Sequence, residues 1–116
     1  MDDEQDAFRH AFASAHLVAT GSKHAKLLGD ANEKFGLNST GNNPTSTNMD
    51  YWNNAVGREI GAEILKEIGN SKNIAPTMLD DMIAEKIIQR MKKGDLITNP
   101  NDIRKFENYN KYFQNK

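Results

Sequence analysis

Apolar residues recur every three or four positions along most of this chain, the spacing that lines up one face of an α-helix. From Asp3 to Thr20, Ala7, Phe8, Ala11, Phe12, Ala15 and Val18 or Ala19 form such a face, and acidic residues gather in the opening turn, where the helix dipole favours them. The pattern predicts a first helix that stops at Gly21. Ser22 is placed to cap a second helix through about Phe35, with Ala25, Leu28, Ala31 and Phe35 on one side and Gly36 as its stop. These two are expected to pair as a tight antiparallel hairpin. Leu37 to Asn48 is dense in Asn, Ser, Thr, Gly and Pro, which favour turns and hydrogen-bond their own backbone, and it reads as an irregular loop.

A third helix is expected from about Met49 to Ile68, carried by Val56, Ile60, Ile64, Leu65 and Ile68 and ended by Gly69. A fourth opens at Pro76, where a first turn tolerates proline, and runs to about Lys93 with Leu79, Met82, Ile83, Ile87 and Met91 inward. After Gly94 the periodicity weakens and breaks at Pro100 and Asn101, so the remainder is either one more short helix or a docked tail. Strand-period alternation never extends beyond a few residues, and no repeat is present. The expected fold class is all-α, a single-domain bundle of four main helices spanning residues 1–116, with an irregular loop after the second.

At 116 residues, with 37% hydrophobic and 27% charged, the chain has apolar mass for one lean core and no second domain. Fifteen Lys and Arg against sixteen Asp and Glu leave a net charge of -1, so no global positive field draws it to nucleic acid or anionic lipid. Without cysteine there is no disulfide framework and no thiolate metal site; a metal would sit among His, carboxylate and amide ligands. No apolar run approaches the roughly 20 residues that cross a bilayer, and the acidic start is the wrong sign for a signal peptide. The expectation is a soluble chain that also fits a piece of a longer protein.

Polar residues interrupt the helical pattern in three places. On the third helix, Asp50, Asn53, Asn54, Gly57, Arg58 and Gly61 fall on one continuous stripe. Paired asparagines and two glycines are poor helix formers, so close packing or chemistry has to explain them. The glycines would let another helix approach, leaving Asp50, Asn53, Asn54 and Arg58 to project into the junction. On the first helix, Asp6, Arg9 and His10 share a face, and a carboxylate one turn from an imidazole is a workable metal-ligand pair or a general base with its orienting acid. On the second, Asp30 and Glu33 are three apart and would neighbour Asp6 and His10 in an antiparallel hairpin. His16 and His24 read as surface or cap residues, and Tyr51 and Trp52 as core or groove wall. Asp6 with His10 and Asp30 with Glu33 are each, taken alone, an ordinary solvated face, and the arginines fit a structural ion network, whereas Asn53-Asn54 in mid-helix is less ordinary because both side chains compete with helical hydrogen bonding; three constellations on consecutive helices favour a site.

The runs Asp6-Ala-Phe-Arg-His-Ala-Phe-Ala-Ser-Ala15, Ala25-x-x-x-Gly-Asp-Ala-Asn-Glu33 and Asn48-Met-Asp-Tyr-Trp-Asn-Asn-Ala-Val-Gly-Arg58 resemble a small bacterial domain found at the C-terminal ends of Rhs or YD-repeat proteins, wall-associated proteins and other polymorphic toxins. The resemblance covers roughly residues 5–65. It departs at Asn32, where the pattern usually carries histidine. It implies an antibacterial effector delivered into a target cell as part of a larger secreted protein, with a cognate immunity protein as partner. It fixes no reaction.

The residues suggest one. His10, Asp6, Asp30, Glu33 and Asp50 are candidate ligands for a divalent metal ion, and His10, Asp6, Arg9, Asp50, Asn53, Asn54 and Arg58 are the candidate catalytic set, the arginines suited to an oxyanion or phosphate. The expected activity is metal-assisted hydrolysis of a phosphoester or phospholipid-type substrate. Three alternatives stay open: a metal-free hydrolase with His10 as base; a nuclease toxin, for which Lys86, Arg90, Lys92 and Lys93 are the basic cluster; and a non-enzymatic binding domain whose polar junction is structural. Lipid, nucleic acid and cell-wall precursors all remain candidate substrates.

Overall fold

Ala7, Ala11, Ala15 and Ala19 recur once per turn along α1 (Asp3–Ala19), and all four are buried. A stripe of such small side chains lets a neighbouring helix come close, and α2 (Pro44–Ile68) does so with its own small residues, Gly57 and Gly61. A Cβ added at Gly57 would lie 2.2 Å from the carbonyl oxygen of Ala11, and one at Gly61 would lie 2.5 Å from that of Ala15. Because Ala11 faces Gly57 and Ala15 faces Gly61, the two helices run parallel. The computed structural model describes residues 3–21 and 44–114, and within them the protein is an all-α domain. The helix expected from Ser22 to Phe35, its hairpin with α1, and residues 37–43 of the expected loop lie outside the described residues.

The third expected helix begins earlier than its apolar pattern indicates. Residues 44–48 belong to α2 and not to a loop. Pro44 supplies a φ suited to a first turn. Asn48 is held from outside the helix: its Nδ2 donates to the Arg104 carbonyl at 2.9 Å, and its Oδ1 accepts from the Phe106 N–H at 2.7 Å. Tertiary bonds thus support a polar turn that local propensity disfavours. A short 3-10 turn at Ser71–Asn73 leads to α3 (Pro76–Lys92), which opens on its proline and buries Leu79, Ile83 and Ile87. Gly69 and Gly94 end α2 and α3 at φ 78° and 79°, a conformation that side-chain-bearing residues rarely adopt.

The segment after Gly94 folds back over α2, as a docked strand of irregular chain that also contains a short helix, α4 (Tyr109–Gln114), preceded by a 3-10 turn at Phe106–Asn108. Its centre is Trp52, fully buried, whose Nε1 donates to the Asp95 carbonyl at 2.7 Å. Tyr109, Tyr112 and Phe113 surround the indole at centroid separations of 4.9, 5.3 and 5.7 Å. Arg104 lies over the same ring at 5.3 Å and donates to the carbonyls of Gly94 and Leu96. Asp102 orients it through a 2.6 Å ion pair, and this guanidinium holds the Asp102 carboxyl below its ordinary pKa. Two cores result: a small-residue seam between α1 and α2, and an aromatic cluster under the C-terminal strap.

Candidate functional site

The parallel arrangement of α1 and α2 brings their N-terminal halves together. Asp6 lies in the first turn of α1 and Asp50 lies less than two turns into α2, so both carboxylates sit towards the positive ends of their helices. His10, one turn beyond Asp6, reaches across the seam. Its Nε2 lies 3.2 Å from Asp50 Oδ1 and 3.8 Å from Asp6 Oδ2. The three residues each offer a ligand atom, all within 4.8 Å of one another. Their side chains are 18%, 24% and 9% exposed for His10, Asp6 and Asp50, so the cluster is mostly sheltered and partly accessible.

These separations suit a cation. Ligand atoms about 2.1 Å from a tetrahedral ion stand about 3.4 Å apart, between the two distances measured here. Both carboxylates also approach the same ring nitrogen. A shared ion would satisfy this convergence, and so would an imidazole oriented by its carboxylates, since 3.2 Å is also a hydrogen-bonding separation. Asp6, His10 and Asp50 thus form a possible metal-binding triad.

Other candidates fall elsewhere. Arg9 is bound to Asp6 at 2.6 Å, with its side chain 70% exposed at the rim of the triad. Asn53 does not project into the junction: its Nδ2 donates to the Ile97 carbonyl at 2.9 Å and its Oδ1 accepts the Ile97 N–H at 2.8 Å, so both ends of the amide pin the strap. Asn54 is buried on the same helix. Arg58 stands eight residues beyond Asp50, about 12 Å along the axis, and lines a different cavity. The reason for both departures is angular, since Asn53 and Arg58 flank the Gly57 line on opposite sides and the strap covers those flanks. Asp30, Glu33 and Asn32 lie outside the described residues.

The remaining polar residues are structural in their contacts. His16 is exposed, 3.8 Å from Asp80. Lys86 binds Glu63 and Glu67 at 3.0 Å each, and the Glu67 hydrogen bond leads the causes that raise its pKa against the opposing cost of burial. Arg90 pairs with Asp95 and lies 3.7 Å from Glu59. Half of the basic cluster at the end of α3 is therefore neutralised within the domain. Arg104, Asp102 and Asn48 had no signal in the helical pattern, because each acts through the backbone of a non-helical segment.

The family described as a domain of unknown function, DUF6973, matches residues 1–95. The chain belongs to this family. The matched span contains all of α1, α2 and α3 and so the whole Asp6, His10 and Asp50 triad, whereas the strap from Leu96 onward extends past it. No curated protein and no solved structure matches this DUF6973 chain. Among the described residues no helix is long and apolar enough to cross a membrane.

Proposed function

We propose that this domain is a metal-assisted hydrolase that serves as an antibacterial effector and acts on a phosphoester or phospholipid-type substrate. The observation that carries the reading is the convergence of Asp50 and Asp6 on His10 Nε2, at 3.2 and 3.8 Å, across two helices. Two carboxylates and one imidazole make a hard, anionic donor set for a divalent ion. Such an ion supplies Lewis acidity and a more acidic bound water. The chain's own residues do the rest: Asp6, His10 and Asp50 hold the ion at one open face, and Arg9 at the rim offers its guanidinium to the anionic substrate. The effector setting follows from the resemblance of the three motif runs to polymorphic-toxin tips. It carries with it a cognate immunity protein that protects the producing cell.

A second reading draws on Asn53. That side chain, on the same polar stripe, is wholly engaged in fastening the strap, and a non-enzymatic domain would use the rest of the stripe in the same way. Expression in a bacterium, directed either to the cytoplasm or to the periplasm, separates the two readings. The hydrolase predicts growth arrest in one compartment, abolished by His10→Ala and Asp50→Ala at unchanged protein level. Arrest that survives both substitutions, or variants that merely lose stability without any toxicity in the parent, would rule the proposal out.

A further inference from the structure

The net charge of -1 hides an uneven distribution. Residues 88–116 carry seven Lys and Arg against three Asp and Glu, whereas residues 1–87 carry eight against thirteen. Internal pairing sharpens the imbalance. Arg90 binds Asp95 and Arg104 binds Asp102, so two of the three carboxylates are consumed within the domain. Lys92, Lys93, Lys105 and Lys111 are exposed, and Glu107 is the one exposed carboxylate among the described residues of this segment.

Arg104 joins these pieces. Its Nη1 donates to the Gly94 carbonyl at 2.7 Å, which seats residues 103–105 beside the end of α3, where Lys92 and Lys93 lie. Tyr112 meets the same guanidinium at 5.4 Å and brings α4, with Lys111, to this edge. Ile103 belongs to the edge too, with 88% of its surface in solvent, more than any other large hydrophobic residue among those described. Asp102 and Arg104 turn inward while Ile103 and Lys105 turn outward, the alternation of extended chain. The segment is also held still: the Arg104 N–H donates to Asp102 Oδ1 at 2.9 Å, and Asn48 binds the Arg104 carbonyl and the Phe106 N–H. An apolar side chain presented on fixed backbone loses little freedom when a partner buries it.

We infer that this edge docks onto an anionic lipid bilayer, with the lysines among the headgroups and Ile103 at the acyl boundary. A bilayer surface takes both features at once, since anionic headgroups attract basic side chains and the layer beneath accepts an apolar one. Nucleic acid would engage the lysines but leave Ile103 without a counterpart, and the rings that could stack on bases, Trp52, Tyr109, Tyr112 and Phe113, are packed on one another. Protein interfaces are depleted in lysine. None of Asp6, His10 and Asp50 belongs to the edge, so the inference goes beyond the hydrolase reading and stands apart from it.

The test is co-sedimentation of the full chain with large vesicles in chelator, which keeps a metal centre and any hydrolysis out of the readout. Pure phosphatidylcholine is compared with an equal mixture of phosphatidylcholine and phosphatidylglycerol, at low and at high salt. Partition onto the anionic vesicles is expected to exceed that onto the neutral ones at least about tenfold and to fall in high salt. Lys92→Gln with Lys93→Gln, and separately Lys105→Gln with Lys111→Gln, are each expected to weaken it about tenfold or more. Ile103→Ser is expected to weaken it about threefold. All five side chains are exposed, so the variants keep the fold. Lys72→Gln removes the same charge near the opposite end of α3, about 25 Å away, and is expected to leave partition unchanged. Equal binding to neutral and anionic vesicles, an equal loss in Lys72→Gln, or full binding by Ile103→Ser would overturn the assignment. So would no retention on either vesicle, or tighter capture by a short DNA duplex than by the anionic vesicles.

Discussion

The seam between α1 and α2 and the strap over Trp52 solve the same problem, holding a helix in place, by opposite means. The seam uses the smallest side chains available, Ala7, Ala11 and Ala15 against Gly57 and Gly61, so that backbone meets backbone and the long side chains at its end are forced together. The strap uses large rings around one indole and side-chain amides that reach main-chain groups. The first arrangement concentrates charge: Asp6, His10 and Asp50 crowd one point because the helix axes are close. The second disperses it, since Arg104 is spent on Asp102, Gly94 and Leu96. Chemistry is expected at the seam, and stability without chemistry at the strap.

The sharpest way to break this comparison is Gly57→Ala. Its new Cβ meets backbone, not a movable side chain, so the helices must part, at an expected cost of about 3 kcal/mol in chemical denaturation. Divalent-ion affinity should fall with it. Asn53→Ala attacks the other region, leaving the Ile97 N–H and carbonyl buried without partners at a cost of about 2 kcal/mol. Its ion affinity should match the parent's, which is the dissociation the comparison requires.

A smaller effect is expected for Asp102→Asn, about 1 kcal/mol at neutral pH. The Arg104 hydrogen bond depresses the Asp102 pKa in the folded state, so this contribution is present above the ordinary value of 3.8 and disappears as pH falls through the lower folded value. The gap between the parent and the variant should therefore close in acid, read by the fluorescence of Trp52, the single tryptophan beneath the strap. Least is expected from Lys86→Ala. Its two glutamate partners are about half exposed, and the loss should stay near 0.5 kcal/mol and shrink in salt.

Much of this organisation could be read from residue spacing. The inward faces of α1, α2 and α3 follow from helical periodicity, and the close approach at Gly57 and Gly61 follows from two glycines that propensity cannot justify. Asp6, His10 and Asp50 interrupt those faces at helical intervals, but so do Asp30, Glu33, Asn53, Asn54 and Arg58, and spacing alone does not separate the three from the rest. Spacing could not tell Asn53 from Asp50, since both lie on one stripe and only the position of the strap decides which faces the seam. Residues 44–48 escaped for a related reason: Asn48 makes its bonds to Arg104 and Phe106, more than fifty residues away in sequence. Arg58 was visible as an unusual cation, but the cavity it lines exists only once the strap has folded back.

Calorimetric titration of the metal-free chain with zinc and with manganese tests the central claim most directly. One ion bound per chain in the parent and in Asn53→Ala, with binding lost in His10→Ala and Asp50→Asn while both variants remain folded, is the predicted result. Absence of binding to the parent, or binding that survives the loss of His10 and Asp50, would contradict a metal centre at the seam.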